Sequence, residues 1–422
     1  MELRLRNVAK IEYADLKLNG ITVIAGENNV GKSTVGKTVF ALFNSLVNIE
    51  DKIKEQKARK LFKLFREIEK KVDLEGKRSL DDRITLARLR ILANSFSSVS
   101  TEEDLRESIN KISELGSGEL GDIIATEFFE EAKKTINLPI DRLKKAAISG
   151  YFGRVFYDEI NSIYNKSTRA VIDAVIQGKN ICLEFEQNNC VNVEQQIGIV
   201  NEAVYLDNPF VLNGLNNGIT GRDEIEKVII NKLRKNLDAV EDVVQYSLLT
   251  DKIQEIVDRI SKVTSGSLSS DETYSYSYRE NGNDKLNVNN LSAGLKAFVI
   301  IKSLLEKGEL KERDILILDE PEIHLHPEWQ MIYAEVIVLL QKIFNLTIVL
   351  TTHSAHFLDA LYYYTRLHKI ESKCNFYLAK QGEYGSVMED VTDDISKIYA
   401  KLVDPSILLD KLKYQMEEEI DE

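Results

Sequence analysis

The sequence predicts an α/β fold in which strands from distant parts of the chain form one sheet and helical segments are inserted between them. Three apolar runs carry this prediction, because each has the length and composition of a strand buried on both faces. They are the segments 21–25, 315–318 and 346–350. Each run alone lacks enough neighbouring strands to bury its faces, so we expect the three to share a sheet.

The chain ahead of the first buried run alternates apolar and polar side chains. Its apolar positions are Leu3, Leu5, Ile11, Leu16 and Leu18. This period of two predicts two half-exposed strands. Further β-type segments are expected at Ile181–Phe185, Cys190–Val193 and Ala203–Leu206. The Asn- and Gly-rich segment 207–222 predicts a loop, and the composition of 265–283 predicts a hairpin or loop.

Two charged helical stretches interrupt the strands. The first has apolar residues at spacings of four, three and four: Leu61, Phe65, Ile68 and Val72. Its lysines and arginines indicate a solvated face, with a phosphate-contacting stripe as the alternative. We call the part of the chain that carries the predicted sheet the head. The chain is therefore divided into an N-terminal part of the head (1–50), a helical insertion (51–165), head strands and a loop (166–222), a second helical insertion (223–262), the C-terminal part of the head (263–378) and an extension with an acidic tail (379–422).

Composition limits the possible partners. The 422 residues include 55 Lys plus Arg and 68 Asp plus Glu, a net charge of −13, so any contact with DNA must be local. The three cysteines form no CxxC pair, which fits a reducing compartment and argues against a structural zinc site. No apolar run approaches the roughly 18 residues of a membrane span. We expect a cytoplasmic protein with no membrane partner.

A phosphate-binding loop follows the buried run 21–25. Residues 26–33, GENNVGKS, match GxxxxGK[ST] and precede a helical pattern. Backbone N–H groups of such a loop wrap the β- and γ-phosphates, Lys32 is expected to bridge them, and the Ser33 hydroxyl to coordinate Mg²⁺. An overlapping match at 31–38 is rejected, because no strand precedes it and Gly36 would lie inside the helix. The predicted nucleotide-binding residues of the loop are Gly26, Asn28, Asn29, Gly31, Lys32, Ser33 and Thr34.

Two carboxylates end the run 315–318. Adjacent residues at a strand end point in different directions. We therefore expect Asp319 to hold Mg²⁺ through a water, and Glu320 to polarise the water that attacks the γ-phosphate. The alternative is that both acids merely end a strand.

A histidine follows the run 346–350, one strand beyond the carboxylates. His353 is expected to hydrogen-bond the γ-phosphate and orient the attacking water. The predicted catalytic residues are thus Glu320, His353 and Lys32. His324 and His326 are near Glu322 in sequence, but a spacing of two is unspecific and no third ligand is identifiable, so no metal site other than Mg²⁺ is predicted.

A second anion site is predicted at LSAGLK, residues 291–296, which opens an apolar-striped helix. Ser292 suits the N-cap position, where its hydroxyl, free backbone N–H groups and the helix dipole attract an anion. Capping alone would also explain Ser292. A second anion site beside one phosphate loop suggests that the two act on the same nucleotide from opposite sides.

The ordered motifs GENNVGKS, LSAGLK, ILILDEPEIHLHP and LTTHS resemble those of ATP-binding-cassette (ABC) ATPases of the group that includes SMC, zinc-hook repair and OLD proteins. EPEIHLHP is especially similar to the OLD-like ATPases of bacterial anti-phage systems such as PARIS and Septu. The resemblance implies an ABC-ATPase head with a mixed β-sheet core and helical insertions. It also implies ATP and Mg²⁺ as ligands and a homodimer or larger homo-oligomer, in which Ser292 and Gly294 of one subunit contact the γ-phosphate held by Lys32 of the other.

Three departures narrow the resemblance. Transporter cassettes usually carry LSGGQ and an aspartate in the turn after DEP. In this chain Ala293 and Lys296 depart from LSGGQ, and the turn 322–326 has no aspartate. Zinc-hook ATPases carry long coiled coils and a CxxC hook, for which 51–165 is too short. OLD nucleases append a metal-dependent TOPRIM domain, for which too few residues follow Ala379. We therefore expect an ATPase without its own nuclease. The candidates for the family's glutamine loop are Gln187, Gln195 and Gln196.

Three functions remain open at this point. The leading hypothesis is a Mg-dependent ATPase that serves as sensor or scaffold subunit of an anti-phage complex and holds or activates a separate effector, a nuclease or toxin. The defence role rests on the resemblance alone. The alternative is a DNA-repair or recombination ATPase of the RecF or zinc-hook type, whose lysine-bearing helices grip duplex DNA. A scaffold that binds ATP and barely hydrolyses it is the third.

Overall fold

A computed structural model describes the chain in two compact units. The first, which we call the head unit, comprises Met1–Val47 and Ser149–Glu422, and the second, the helical unit, comprises Asn48–Ile148. The described residues are 1–74, 96, 99, 101–113, 124–164, 168–216, 223–235, 243–270, 275–280 and 285–402. The predicted acidic tail lies outside them.

A mixed sheet of eleven strands forms the centre of the described head unit, in the order β6-β5-β4-β1-β2-β14-β13-β3-β12-β11-β7. Its strands are β1 Glu2–Val8, β2 Ile11–Lys17, β3 Ile21–Ala25, β4 Ala170–Ile176, β5 Lys179–Glu186, β6 Asn189–Gln195, β7 Ala203–Leu206, β11 Ile315–Asp319, β12 Thr347–Thr352, β13 Cys374–Gln381 and β14 Ser386–Asp390. The five strands from β13 to β7 run parallel to one another. The predicted α/β class with a mixed sheet is confirmed, and the three apolar runs lie in this one sheet.

Burial along the first strands follows the sequence pattern. Leu3 and Leu5 of β1 and Ala14 and Leu16 of β2 are buried between exposed neighbours, while all five residues of β3 are buried between β13 and β12. β4, which pairs antiparallel with β1, was not among the predicted strands. The sheet also continues through β13 and β14 to Asp390, so the boundary expected at 378 does not coincide with its end.

Among the described residues, six α-helices lie wholly in the head unit. They are α1 Lys32–Leu46, α6 Glu224–Arg234, α7 Val243–Ile260, α8 Ala293–Glu306, α9 Pro327–Phe344 and α10 Ala355–Leu367. Asp223 caps α6, because its side chain accepts the N–H of Glu226 at 2.7 Å. Ile229 and Leu233 of α6 and Ile256 of α7 lie in the head core. The segment expected as a second insertion, 223–262, is therefore packed into the head unit.

The helical unit contains α2 Ile49–Leu74, α3 Glu102–Ser113, α4 Phe129–Ile136 and the start of α5 Ile140–Phe156. Its buried cluster includes Leu61 and Phe65, as the spacing predicts, and the Phe65 and Phe128 rings meet edge-on at 6.2 Å between centroids. The unit ends at Ile148. Residues 149–164, which we expected in the insertion with residue 165, belong instead to the head unit, because this end of α5 packs on the sheet, with 4.8 Å between the ring centroids of Phe152 and Phe185 of β5.

A second, three-stranded sheet occupies the region where a hairpin or loop was expected. It comprises β8 Ser267–Ser270, β9 Tyr276–Arg279 and β10 Leu286–Asn287. Within the ranges that the structure describes, no helix combines the length and apolar character needed to cross a bilayer.

Gly36 lies inside α1, as expected from rejecting the overlapping motif. A Cβ there would lie 2.8 Å from Cε2 of Tyr205 and 2.9 Å from Cγ2 of Ile317. We predict that Gly36→Ala lowers the free energy of unfolding by about 1–2 kcal/mol, because overpacking outweighs the better helix propensity of alanine. Urea unfolding measures this. Gly198→Ala is the control, since nothing lies within 4 Å of its added Cβ, and equal losses in both variants would contradict the packing.

Candidate active site

The site lies where three adjacent parallel strands end. β12 lies between β3 and β11, and the register pairs Thr352 of β12 with Ala25 of β3 and Thr351 with Asp319 of β11. The residues that follow the three strands therefore emerge at one edge of the sheet, where ligands of open α/β sheets bind. These residues are Gly26, Glu320 and His353.

The loop between β3 and α1 is shaped by backbone conformations that favour small residues. Asn29 and Gly31 have φ of 70° and 77°, which Asn and Gly adopt more readily than other residues. Gly26 has φ of 151°, and a Cβ there would lie 2.7 Å from the Ala379 carbonyl oxygen. The sequence pattern GxxxxG thus marks positions that this backbone path requires.

The N-terminus of α1 is available to an anion. Gly31 is the N-cap, no side chain caps the helix, and its first turn carries no acidic residue. Asn28 and Asn29 are exposed, and Ser33 and Thr34 are half-buried in the first turn. Exposed loop positions next to an uncapped helix end are what a phosphate group needs.

The Lys32 side chain folds back over the loop. It is 4% exposed, and its Nζ donates to the carbonyl oxygens of Gly26 at 2.9 Å and Glu27 at 2.8 Å. The same Nζ lies 3.3 Å from Oε1 of Glu320. The ammonium group is thus fixed between the phosphate loop and the end of β11.

Asp319 is held by two hydroxyl donors. The Tyr205 hydroxyl donates to Oδ2 at 2.8 Å, and the Thr351 hydroxyl donates to Oδ1. Burial, reinforced by the nearby Asp319 charge, raises the pKa of Tyr205 well above its ordinary value, so the tyrosine stays a donor. Each carboxylate oxygen keeps a further lone pair, which fits the water-mediated contact with Mg²⁺ predicted for Asp319.

Glu320 connects the parts of the site. Its φ of 49° is a left-handed conformation that is uncommon outside glycine, and its N–H donates to the Thr351 hydroxyl and carbonyl oxygens at 3.0 and 3.2 Å. Its Oε1 lies 3.4 Å from Nδ1 of His353 as well as 3.3 Å from Nζ of Lys32. All three predicted catalytic residues therefore meet at one carboxylate oxygen.

Glu322 is a residue of this site to which the sequence analysis gave no role. Its Oε1 accepts the Thr352 hydroxyl at 2.5 Å and the His353 N–H at 3.2 Å. Its side chain is 3% exposed, against 41% for His353, and burial raises the pKa of Glu322. The sequence signal was the second glutamate of EPE, which we had considered only beside the two histidines.

Ser292 and Gly294 lie at the start of α8. Ser292 is the N-cap, and its hydroxyl accepts the Leu295 N–H at 3.3 Å. A Cβ on Gly294 would lie 2.9 Å from the His324 carbonyl oxygen and 3.3 Å from Cε3 of Trp329. These partners belong to α8, to the turn after β11 and to α9, so packing alone accounts for this glycine.

The candidates for a glutamine loop lie elsewhere. Gln187 is in the turn between β5 and β6, Gln195 ends β6, and Gln196 caps the start of β5 by accepting the Asn180 N–H at 3.0 Å. β5 and β6 form the far edge of the sheet from β11.

Asp207 follows β7, the strand beside β11. Loss of solvation, together with the charges of Asp223 and Asp319, raises the pKa of Asp207 to about 6.

His324 and His326 are both exposed. The His324 ring lies edge-on to Phe210, with 5.7 Å between centroids. Among the residues that the structure describes, no three His, Cys, Asp or Glu side chains are grouped as metal ligands. The ring contact gives His324 a packing role.

Comparisons with known proteins found a matching family model and several similar solved structures. A family model described as an AAA ATPase domain matches residues 1–358. Among solved structures, the chain is similar to the SMC head domain from Thermotoga maritima, with 11% identity, 92% of this chain and 98% of that chain covered, and a TM-score of 0.39. It is also similar to an Smc head bound to the C-terminal winged-helix domain of ScpA, with 10% identity, 94% and 98% covered, and a TM-score of 0.45. A third similar structure is an Smc head domain with an extended coiled coil, bound to the C-terminal domain of ScpA, from Pyrococcus furiosus. It has 10% identity, 98% of each chain is covered, and the TM-score is 0.35.

Proposed function

The chain belongs to the AAA ATPase domain family, and from that premise we propose that it binds ATP with Mg²⁺ and hydrolyses it to ADP and phosphate at the site described above. One observation carries the proposal: the ends of β3, β11 and β12 bring a phosphate loop, a carboxylate pair and a histidine to one edge, where Lys32 and His353 both contact Glu320. Polar residues that only ended three strands would not need to contact one another, as Lys32, Glu320 and His353 do.

The residues divide the chemistry by position. Lys32 and the N-terminus of α1 bind the β- and γ-phosphates. Ser33 and Asp319 would hold Mg²⁺, which would neutralise charge on the phosphate oxygens. Glu320 accepts a proton from the attacking water, and His353 orients that water and the γ-phosphate. Glu320 is suited to this role because its side chain is partly exposed at the edge while its backbone is fixed by Thr351.

The second anion site would act in a dimer. Ser292 is exposed at the N-terminus of α8, where backbone N–H groups of the first turn can meet an anion. In this proposal, Ser292 of the partner subunit contacts the γ-phosphate bound by Lys32. ATP then joins two copies, and its hydrolysis separates them.

The biological setting proposed is an anti-phage complex. The motif EPEIHLHP, residues 320–327, supports it through its similarity to OLD-like ATPases of such systems. The chain would act as the sensor or scaffold that holds a separate nuclease or toxin, with the helical unit as the binding element. Co-purification of one protein at fixed stoichiometry, lost on deleting residues 49–147, is the expected result.

The proposed activity is tested by phosphate release from ATP by the purified chain. We expect Mg²⁺-dependent hydrolysis that EDTA abolishes. A chain that binds ATP and releases no phosphate would be the scaffold of the third hypothesis, and a folded chain that neither binds nor hydrolyses ATP would refute the proposed function.

A further inference from the structure

One carboxylate oxygen, Oε1 of Glu322, holds the junction between β12 and α10. It accepts the Thr352 hydroxyl at 2.5 Å and the His353 N–H at 3.2 Å, and it lies 3.9 Å from Nδ1 of the His353 ring. The Thr352 hydroxyl also accepts the N–H of Ser354, the N-cap of α10, at 3.0 Å. Three consecutive residues are therefore tied to one side chain on the neighbouring turn.

Glu322 is placed to act on His353 rather than on a substrate. Its side chain is 3% exposed, whereas those of Glu320 and His353 are 23% and 41% exposed. The Glu322 backbone is itself fixed, because its carbonyl oxygen accepts the Leu325 N–H at 3.0 Å and the Gln330 amide at 3.3 Å. A ligand at the strand ends would thus reach His353 and not Glu322.

A buried carboxyl group at this position destabilises the fold, which points to a functional role for Glu322. Oε2 of Glu322 has no hydrogen-bond partner among the described residues, and leaving such an atom buried and unpaired is unfavourable. An apolar side chain would avoid that cost, but it could not accept the hydrogen bonds from Thr352 and His353. Asp319 holds Thr351 in the same way that Glu322 holds Thr352, so paired acids fix both threonines at the end of β12.

Resting on the proposed function, we propose that Glu322 is a positioning residue for ATP hydrolysis, which fixes the backbone and the ring of His353 so that Nδ1 faces Glu320 and the other ring nitrogen faces the nucleotide. The role is one of orientation through accepted hydrogen bonds. A side chain that can still accept those bonds should therefore preserve it, and one that cannot should release the histidine.

The experiment compares Glu322→Ala with Glu322→Gln. Hydrolysis gives kcat and KM, a fluorescent ATP analogue gives affinity, and the NMR signals of the five histidines, assigned for His353 with His353→Gln, report its ring. We expect Glu322→Ala to lower kcat about tenfold or more with affinity within about threefold, and to shift the His353 signal. Glu322→Gln should restore most of kcat, because its amide oxygen can accept the same bonds.

Thr352→Val covers the case in which Glu322→Ala fails to fold. It removes the bridging hydroxyl with little change of shape, so kcat should fall and the His353 signal should move. Thr365→Val is the matched control, because Thr365 of α10 is also buried and its hydroxyl donates to the Tyr362 carbonyl oxygen at 2.8 Å rather than to Glu322.

Three results would overturn the proposal. They are an unmoved His353 signal in folded Glu322→Ala or Thr352→Val, an unchanged kcat in these variants when the wild type hydrolyses ATP, or a loss in Glu322→Gln as large as in Glu322→Ala. The last would show that the charge itself acts. If the wild type hydrolyses no ATP, the proposed function fails, and the His353 signals still test the contact.

Discussion

Glu320→Gln is expected to lower kcat for ATP hydrolysis about 10²- to 10³-fold while ATP binding is retained, because an amide cannot accept a proton from water but keeps nearly the same shape. Glu320 is the only side chain among the described residues that lies within 3.5 Å of both Lys32 Nζ and His353 Nδ1 through one oxygen. Single-turnover phosphate release and size-exclusion chromatography with ATP measure the effect. The variant should also accumulate as an ATP-bound dimer, because in the proposed cycle it is hydrolysis that separates the two copies.

Glu328→Gln is the matched control for this change. Glu328 lies eight residues further on, exposed in the first turn of α9, so losing its charge should leave kcat within about twofold. A loss in Glu320→Gln no larger than in the control would mean that another group accepts the proton from water.

Lys32→Ala is the second change with a large expected effect, this time on binding. We expect ATP affinity to fall at least about a hundredfold, equivalent to about 2.7 kcal/mol. The change removes the buried ammonium group beside the phosphate loop, leaving the Gly26 and Glu27 carbonyl oxygens and Glu320 without their partner. Titration calorimetry with ATP and Mg²⁺ measures this loss, and hydrolysis should disappear with it.

Lys37→Ala tests which of the two overlapping motifs binds the nucleotide. Lys37 occupies the lysine position of the rejected match at 31–38 and lies five residues further along α1, with its Nζ 6.0 Å from the centre of the Tyr157 ring. The affinity of the Lys37→Ala variant for ATP should stay within about threefold of the wild type. Loss of binding in Lys37→Ala with retention in Lys32→Ala would reverse the assignment.

The parts of the site that could be predicted are those encoded by short, contiguous segments of the sequence. The loop after β3 needs left-handed backbone at Asn29 and Gly31, so its pattern is visible without knowledge of the fold. Likewise, the apolar runs before Glu320 and His353 predict parallel strands that end in polar residues. The adjacency of β11 and β12 followed from their order in the chain, since neighbouring βα units usually lie side by side.

The remaining parts depend on contacts between distant residues. Tyr205 donates to Asp319 across 114 residues of sequence, and nothing in its own surroundings distinguishes it from an ordinary core tyrosine. The place of Gln187, Gln195 and Gln196 at the far sheet edge depends on the order of strands, which a motif does not encode. The burial of Glu322 arises only when the turn after β11 closes against β12.

The boundaries of the segments were also set by tertiary packing. The α6 and α7 sequences are charged and periodic, which indicated an insertion, yet Ile229 and Ile256 complete the head core. Similarly, β4 is apolar apart from Asp173, so its sequence does not show the alternating burial that it has in the sheet. Its partner β1 lies more than 160 residues earlier in the chain. Periodicity identifies a helix or strand, and only packing shows to which core it belongs.

The most direct test of the account is complementation between Ser292→Arg and Lys32→Ala, each expected to be inactive alone. When the two are mixed and exchange subunits, a heterodimer has one site with an intact Lys32 and an intact Ser292 from opposite copies. Turnover should then recover to about a quarter of the wild-type rate, because half of the dimers are mixed and each has one working site. If folded variants demonstrably exchange subunits and no turnover returns, ATP is not held between two copies of this chain.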